Sequence, residues 1–171
     1  MGEELSSPGR LAVRTPMQWT EDRNGGFSTA RASRLPGPVT TGGFGPEFVS
    51  VSAQRRDQDS LLAFMSLLVR RYRECPELGW APVEVLEQPH SCVLALRSAV
   101  DDAVVITLHN FSADPLTVPL DLALEEGEYR LIDLIEDGEV EVGPNGAAEI
   151  PLEGYGHRWF RLVTPRTRRL V

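Results

Sequence analysis

Between Asp59 and Cys75 the apolar positions recur at intervals of three and four: Leu61, Leu62, Phe64, Met65, Leu68, Val69 and Tyr72. That spacing gathers side chains on one face of an α-helix, and it predicts an amphipathic helix with Asp59 as N-cap and Pro76 as the stop. Arg70, Arg71 and Arg73 fall in the last turn, where the negative end of the helix dipole favours them. The plainest use for the stripe is packing into a core.

After Ala81 and Pro82 the rhythm changes to short Val, Leu and Ile runs at Val83–Leu86, Cys92–Arg97, Val104–His109, Leu116–Leu120, Tyr129–Ile135, Val140–Val142, Ala148–Leu152 and Arg158–Val163. Turn material separates them, including Asp101-Asp102, Asp114-Pro115, Asp137-Gly138 and Pro144-Asn145-Gly146. Eight short strands at this spacing predict a mainly β fold, an antiparallel sandwich or a Greek-key barrel. The alternation of Val104, Ile106 and Leu108 with Val105, Thr107 and His109 predicts sheets packed more on one face than on the other. Residues 1–58 show neither period, and Asn24-Gly25-Gly26, Leu35-Pro36-Gly37-Pro38 and Thr41-Gly42-Gly43 punctuate them with turns. So long an irregular stretch suits part of a larger assembly better than a self-contained domain.

Composition narrows the function. The 171 residues suit one ordinary domain with an appendage. A net charge of −8 argues against a nucleic-acid partner, because phosphate recognition needs clustered cations and the one basic cluster is the terminal PRTRRLV. No apolar run is long enough for a membrane helix or a signal peptide, so a cytoplasmic protein is expected. Cys75 and Cys92 are too few for a disulfide framework and are read as free thiols. His90, His109 and His157 lack the spacing of metal ligands, so neither a metal nor another cofactor is expected.

The stretch VRTPMQWTEDRNGGFS sets Met17, Trp19 and Phe27 among turn-formers and charges. With Arg14-Thr15-Pro16-Met17-Gln18-Trp19, Asp22-Arg23-Asn24, Gly26-Phe27-Ser28, Val49-Ser50-Val51, Gln54, Asp59–Leu62 and Arg70–Arg73, it resembles the C-terminal part of α-amylase-superfamily enzymes (glycoside hydrolase family 13). RTPMQW followed by Gly-Phe is similar to the oligo-1,6-glucosidase, α-glucosidase and trehalose synthase branch, and DRNGGFS looks most like trehalose synthase. Met1–Leu5, with Pro8, Arg10 and Val13, resembles the segment after the last barrel strand of those enzymes.

The resemblance implies that residues 1–81 form the terminal βα loop and last helix of an incomplete (β/α)8 barrel, followed by a β-sandwich over 82–171. It implies a parent that acts on α-glucosides through a covalent glycosyl intermediate, interconverting maltose and trehalose or hydrolysing a terminal glucose. The rest of the barrel would be this chain's intramolecular partner. Arg14 would bind the non-reducing-end sugar in the intact parent, a task suited to the fixed fork of a guanidinium. Pro16, Gln18, Trp19 and Phe27 would anchor the loop that aims it.

Retaining glycosidases need two carboxyl groups about 5 to 5.5 Å apart. In the resembled family these sit at the ends of earlier barrel strands, and no such motif occurs here. Asp101-Asp102, Glu125-Glu126 and Glu136-Asp137 are adjacent charges at turns and read as solvated loops. The chain alone is therefore expected to be inactive, with no catalytic residue of its own. If the helix stripe lacks its barrel partner, each exposed apolar side chain forfeits about 1.5 to 3 kcal/mol of burial, and self-association through that face is expected. The rival reading is a free-standing, non-catalytic module that binds carbohydrate, with Trp80 or Trp159 as the stacking ring, or docks on a protein partner.

Overall fold

A computed structural model of the chain describes residues 14–163. The resemblance carried by Met1–Val13 and the basic end of the chain lie outside the described residues. The chain divides into two compact units, Met1–Leu67 and Leu68–Val171, each described by itself below.

The first unit opens irregularly and makes 3₁₀ turns at Arg23–Gly26, Ala32–Arg34 and Gly42–Phe44. A four-residue helix, α1 (Val51–Gln54), precedes α2 (Leu61–Glu74), which crosses the division between the units. Ser50, fully buried, caps α1 by accepting a hydrogen bond from the Ala53 N–H at 3.3 Å. The cap of α2 is Ser60 rather than the expected Asp59. Its hydroxyl accepts from the Ala63 N–H at 3.2 Å and donates to the Gln54 carbonyl at 2.7 Å, while the Gln54 side chain accepts from the Leu62 N–H. The Asp59 N–H is instead engaged by the Asp57 carboxylate in a tight local turn, which holds Asp59 one residue short of the capping position.

In the second unit α3 (Glu77–Trp80) follows Pro76, and then come β1 (Val83–Leu86), β2 (Val93–Val100), β3 (Ala103–Asn110), β4 (Leu116–Asp121), β5 (Tyr129–Asp133), β6 (Glu139–Val142), β7 (Ala147–Leu152) and β8 (His157–Val163). All pairings are antiparallel. Six strands form one sheet in the order β1-β2-β3-β8-β5-β6, and β4 pairs with β7 in a second. The chain thus leaves the large sheet for β4 and again for β7, returning as β8 between β3 and β5.

The core lies between the sheets. Val118 and Leu120 on β4, and Ala148, Ile150 and Leu152 on β7, meet Ile106, Leu108, Leu131, Phe160 and Leu162 of the large sheet. The two-stranded sheet keeps strict alternation, with Thr117, Pro119, Glu149 and Pro151 facing outward. Pro119 and Pro151 remove backbone donors from a sheet that has two open edges, which discourages further strand addition.

The large sheet also carries burial on its outer face. Val105, Thr107 and Ser98 are buried on the outer face of β3 and β2 because α3 lies against these two strands. Arg161, in register with Val105, reaches the turn between α2 and α3 through the Glu74 carbonyl (3.3 Å), the Cys75 sulfur (3.2 Å) and the buried Glu77 carboxylate (3.3 Å).

No residue of α2 is buried. Leu61, Met65, Val69 and Tyr72 lie between 47% and 69% exposed, and their spacing makes them one continuous stripe. Leu62, Phe64 and Leu68 of the predicted stripe are half-buried, so the helix packs part of its apolar face and leaves the rest open. β2 starts at Val93, one residue later than expected, because the His90 carbonyl accepts from the Val93 N–H and closes a turn over Cys92.

Candidate functional site

The segment around Gln18 owes its shape to polar contacts with the backbone. The Gln18 amide donates to the carbonyls of Phe44 (3.1 Å) and Val49 (2.9 Å), and the Gln18 carbonyl accepts from the Val51 N–H. The Trp19 carbonyl accepts from the Ser52 N–H, continuing the same seam. One glutamine so ties residues 17–20 to 44–52 across 26 to 31 positions of sequence. Its Oε1 is buried and has no hydrogen-bond partner.

The DRNGGFS sequence makes physical sense as a left-handed turn. Asn24, Gly25 and Gly26 take φ of 58°, 65° and 67° in succession, a path that costs ordinary L-residues steric energy and that asparagine and glycine tolerate. A Cβ on Gly26 would stand 2.4 Å from the Thr20 hydroxyl, so only glycine fits there without a shift. The Asn24 side chain donates to the carbonyls of Ser28 (2.7 Å) and Ala30 (2.9 Å), and the Gly25 carbonyl accepts from Trp19 and Thr20. Sequence reasoning saw a turn here but missed the clamp made by Asn24. The readable signal was an asparagine directly before two glycines.

Arg14 is exposed, and its carbonyl passes 3.4 Å from where a Cβ on Gly37 would stand. Pro16 is buried. Trp19 and Phe27 are 50% and 43% exposed, and their main-chain groups, not their rings, make the bonds that hold the loop. Met17, Phe44 and Phe48 are similarly open to solvent. Loop, turn and helix start thus form a polar framework that displays large apolar side chains outward.

The second unit holds its buried carboxylates in ion pairs. Asp133 pairs with Arg158 and also accepts the Ile135 and Glu136 N–H groups, while Glu77 pairs with Arg161. Each braces a turn. Asp101-Asp102, Glu125-Glu126 and Glu136-Asp137 are all exposed. Among the described residues no group of three His, Cys, Asp or Glu could hold a metal ion.

His109 and His157 are register partners on β3 and β8 with ring centroids 6.4 Å apart, and Phe111 also stacks on His109 at 6.4 Å. Burial, and then the neighbouring His157, push the His109 pKa below its usual value. Cys75 and Cys92 are both free. Burial holds the Cys75 thiol above its ordinary pKa against the opposing pull of Arg161, so it stays protonated and unreactive. Trp80 is 86% exposed, and Trp159 is half-buried with its Nε1 unpartnered.

Residues 102–161 match the family model of the sucrose hydrolase-like C-terminal domain. Over 170 residues the chain is 35% identical to the trehalose synthase/amylase TreS of Mycobacterium tuberculosis H37Rv, covering 96% of this chain and 28% of that protein. It is 36% identical over 175 residues to the trehalose synthase of Thermus thermophilus, covering 90% of this chain and 17% of the other. The chain therefore spans less than a third of the length of these relatives. In three dimensions it resembles a mutant of trehalulose synthase MutB in complex with Tris, with a TM-score of 0.64 at 22% identity over 90% of this chain and 26% of the other. An Anoxybacillus α-amylase matches with a TM-score of 0.54 at 20% identity over 63% of this chain and 23% of that one. These likenesses in structure speak to the fold, and the sequence relatives carry the assignment further. The chain belongs to the α-amylase superfamily, glycoside hydrolase family 13, as the counterpart of the C-terminal part of trehalose synthase-type enzymes.

Proposed function

We propose that this chain serves as the C-terminal part of an enzyme acting on α-glucosides, by maltose–trehalose interconversion or by hydrolysis of a terminal glucose, and supplies no catalytic carboxylate itself. The observation that carries this reading is 35% identity over nearly the whole chain to the mycobacterial trehalose synthase/amylase, together with the Arg14–Ser28 motif. In this reading the first unit closes the sugar pocket of a catalytic barrel, Arg14 binds the substrate, and Pro16, Gln18, Trp19 and Phe27 fix the loop. The exposed stripe of α2 and the outward Met17, Phe44 and Phe48 are the surface that a barrel would cover. The two free thiols suit a reducing, cytoplasmic setting.

The test is a chimera in which this chain replaces the matching 170-residue segment of the Mycobacterium tuberculosis relative. Conversion of maltose to trehalose should survive in the chimera and be absent from this chain alone. Arg14→Ala should lower kcat/KM about 10- to 100-fold, the effect of losing hydrogen bonds from a charged group. A folded chimera without turnover would overturn the assignment, and full activity in the Arg14 variant would remove that residue from the site.

A further inference from the structure

The two outward faces of the sandwich are built differently. The outward positions of the two-stranded sheet include Asp121 and Glu149, as suits a face turned to water. On the large sheet, the outward positions of β1 and β2 are Val83, Val85, Leu94, Leu96, Ser98 and Val100, and none is charged. α3 covers only part of this face. Ser98 lies beneath it at 4% exposure, whereas Val83, directly opposite on the edge strand, is 57% exposed and Val85 is 65% exposed. Trp80, the last residue of α3, is almost fully open to solvent.

The patch does not stop at the sheet. The Tyr72 hydroxyl stands 3.3 Å from where a Cβ on Gly79 would be, so this tyrosine of α2 lies against α3 one residue before Trp80. Val69 and Tyr72, the last exposed members of the α2 stripe, thereby run on toward Trp80, Val83 and Val85. An uncharged, β-branched surface flanked by a tryptophan has the composition of an interface core, where charges are depleted and aromatic rings enriched. Its outward positions hold no cation to pair with phosphate. We propose that this surface is where the sandwich docks on the catalytic body of the intact enzyme, the portion of the relatives that this chain does not span. The occupant follows from two facts. The surface continues the α2 stripe that the proposed function gives to that body, and most of the mycobacterial relative lies outside the matched segment, which is 28% of its length. The identity of the occupant therefore rests on the proposed function. In the intact enzyme Trp80, Val83, Val85 and Leu94 are buried, and the sandwich is a clamp on the catalytic body.

Hydroxyl-radical labelling read by mass spectrometry tests this on the 171-residue chain and on the chimera described above. In the isolated chain Trp80, Val83, Val85 and Leu94 should label as exposed side chains do. In the chimera all four should label severalfold more slowly, while Pro119 and Pro151 on the opposite face label equally in both proteins. Val83→Lys combined with Val85→Lys should restore the labelling of Trp80 in the chimera. The same pair should shift the Tm of the isolated chain by less than about 2 °C, since both positions are open to solvent there. An unsubstituted chimera whose four residues label as fast as in the isolated chain overturns the proposal, whatever the lysine variant does. So does slow labelling in the isolated chain that is lost on dilution, which would make the occupant a second copy of this chain. The readout is separate from turnover. Protection without conversion of maltose would keep the docking surface and remove the assigned reaction, and conversion without protection would do the reverse.

Discussion

In the sandwich, Phe160, Ile106, Leu108, Leu131 and Ile150 are completely shut away from solvent, whereas in the first unit Met17, Trp19, Phe27, Phe44 and Phe48 each leave more than two fifths of their surface in it. Both regions contain large apolar residues, but only one uses them to build a core. The sandwich satisfies the hydrophobic effect internally, between two sheets whose inward positions alternate with outward ones. The first unit is shaped by side-chain bonds to the backbone from Gln18, Asn24, Ser50, Gln54 and Ser60, and its apolar groups remain available. A region so built depends on its polar seam for shape, and an exposed apolar surface of that kind is expected where another body binds.

The sharpest way to break this contrast is to truncate one phenylalanine in each region. Phe160→Ala should cost about 3 to 5 kcal/mol of unfolding free energy, because it removes a fully buried ring and leaves a cavity in a closed core. Phe48→Ala, at a position 63% exposed, should change stability by less than about 0.5 kcal/mol. Denaturant unfolding monitored by amide exchange separates the two. Similar losses at both positions would mean that the first unit has a core after all.

A smaller effect is expected at Gln18. Gln18→Ala leaves the carbonyls of Phe44 and Val49 without the donor they share, a loss of about 1 to 3 kcal/mol confined to the first unit. Amide exchange at Val51 and Ser52, whose N–H groups close the seam onto Gln18 and Trp19, should speed up accordingly. Amides of β3 and β8 should keep their protection. If they lose it too, the two regions are energetically one.

The same contrast explains what could be read from sequence. The strands were legible because a period of two, broken by Gly, Pro and Asp, is a local signal, and strands such as Leu116–Asp121 and Ala147–Leu152 follow it closely. The α2 stripe was equally plain, but its burial was not, since periodicity tells which face is apolar and not whether anything covers it. The second buried face of β3 was hidden for a related reason: its cover, α3, is four residues long and carries no period at all. In the first unit, Asn24-Gly25-Gly26 announced a turn, yet the bonds from Asn24 and Gln18 join positions that only the folded chain brings together. The choice of Ser60 over Asp59 as cap turned on the Asp57 side chain, a competition between neighbours that a capping preference cannot resolve.

The subtlest test uses pH, and it should touch the sandwich alone. His109 has a folded-state pKa held below the usual histidine value of 6.5, chiefly by burial and secondarily by His157 across the strand pair. The unfolded chain therefore takes up a proton at His109 more readily than the folded chain does. Its contribution to stability is complete above about pH 6.5, declines as pH falls below that value, and levels off once the folded pKa has been passed. Unfolding free energies measured on either side of pH 6.5 should show the sandwich weakening toward acid. In His109→Asn that decline should shrink, while amides around Gln18 respond equally in both proteins. A decline that is identical in the variant would assign the acid sensitivity elsewhere, and one that appears first at Val51 and Ser52 would place the titrating group in the unit that has no histidine among its described residues.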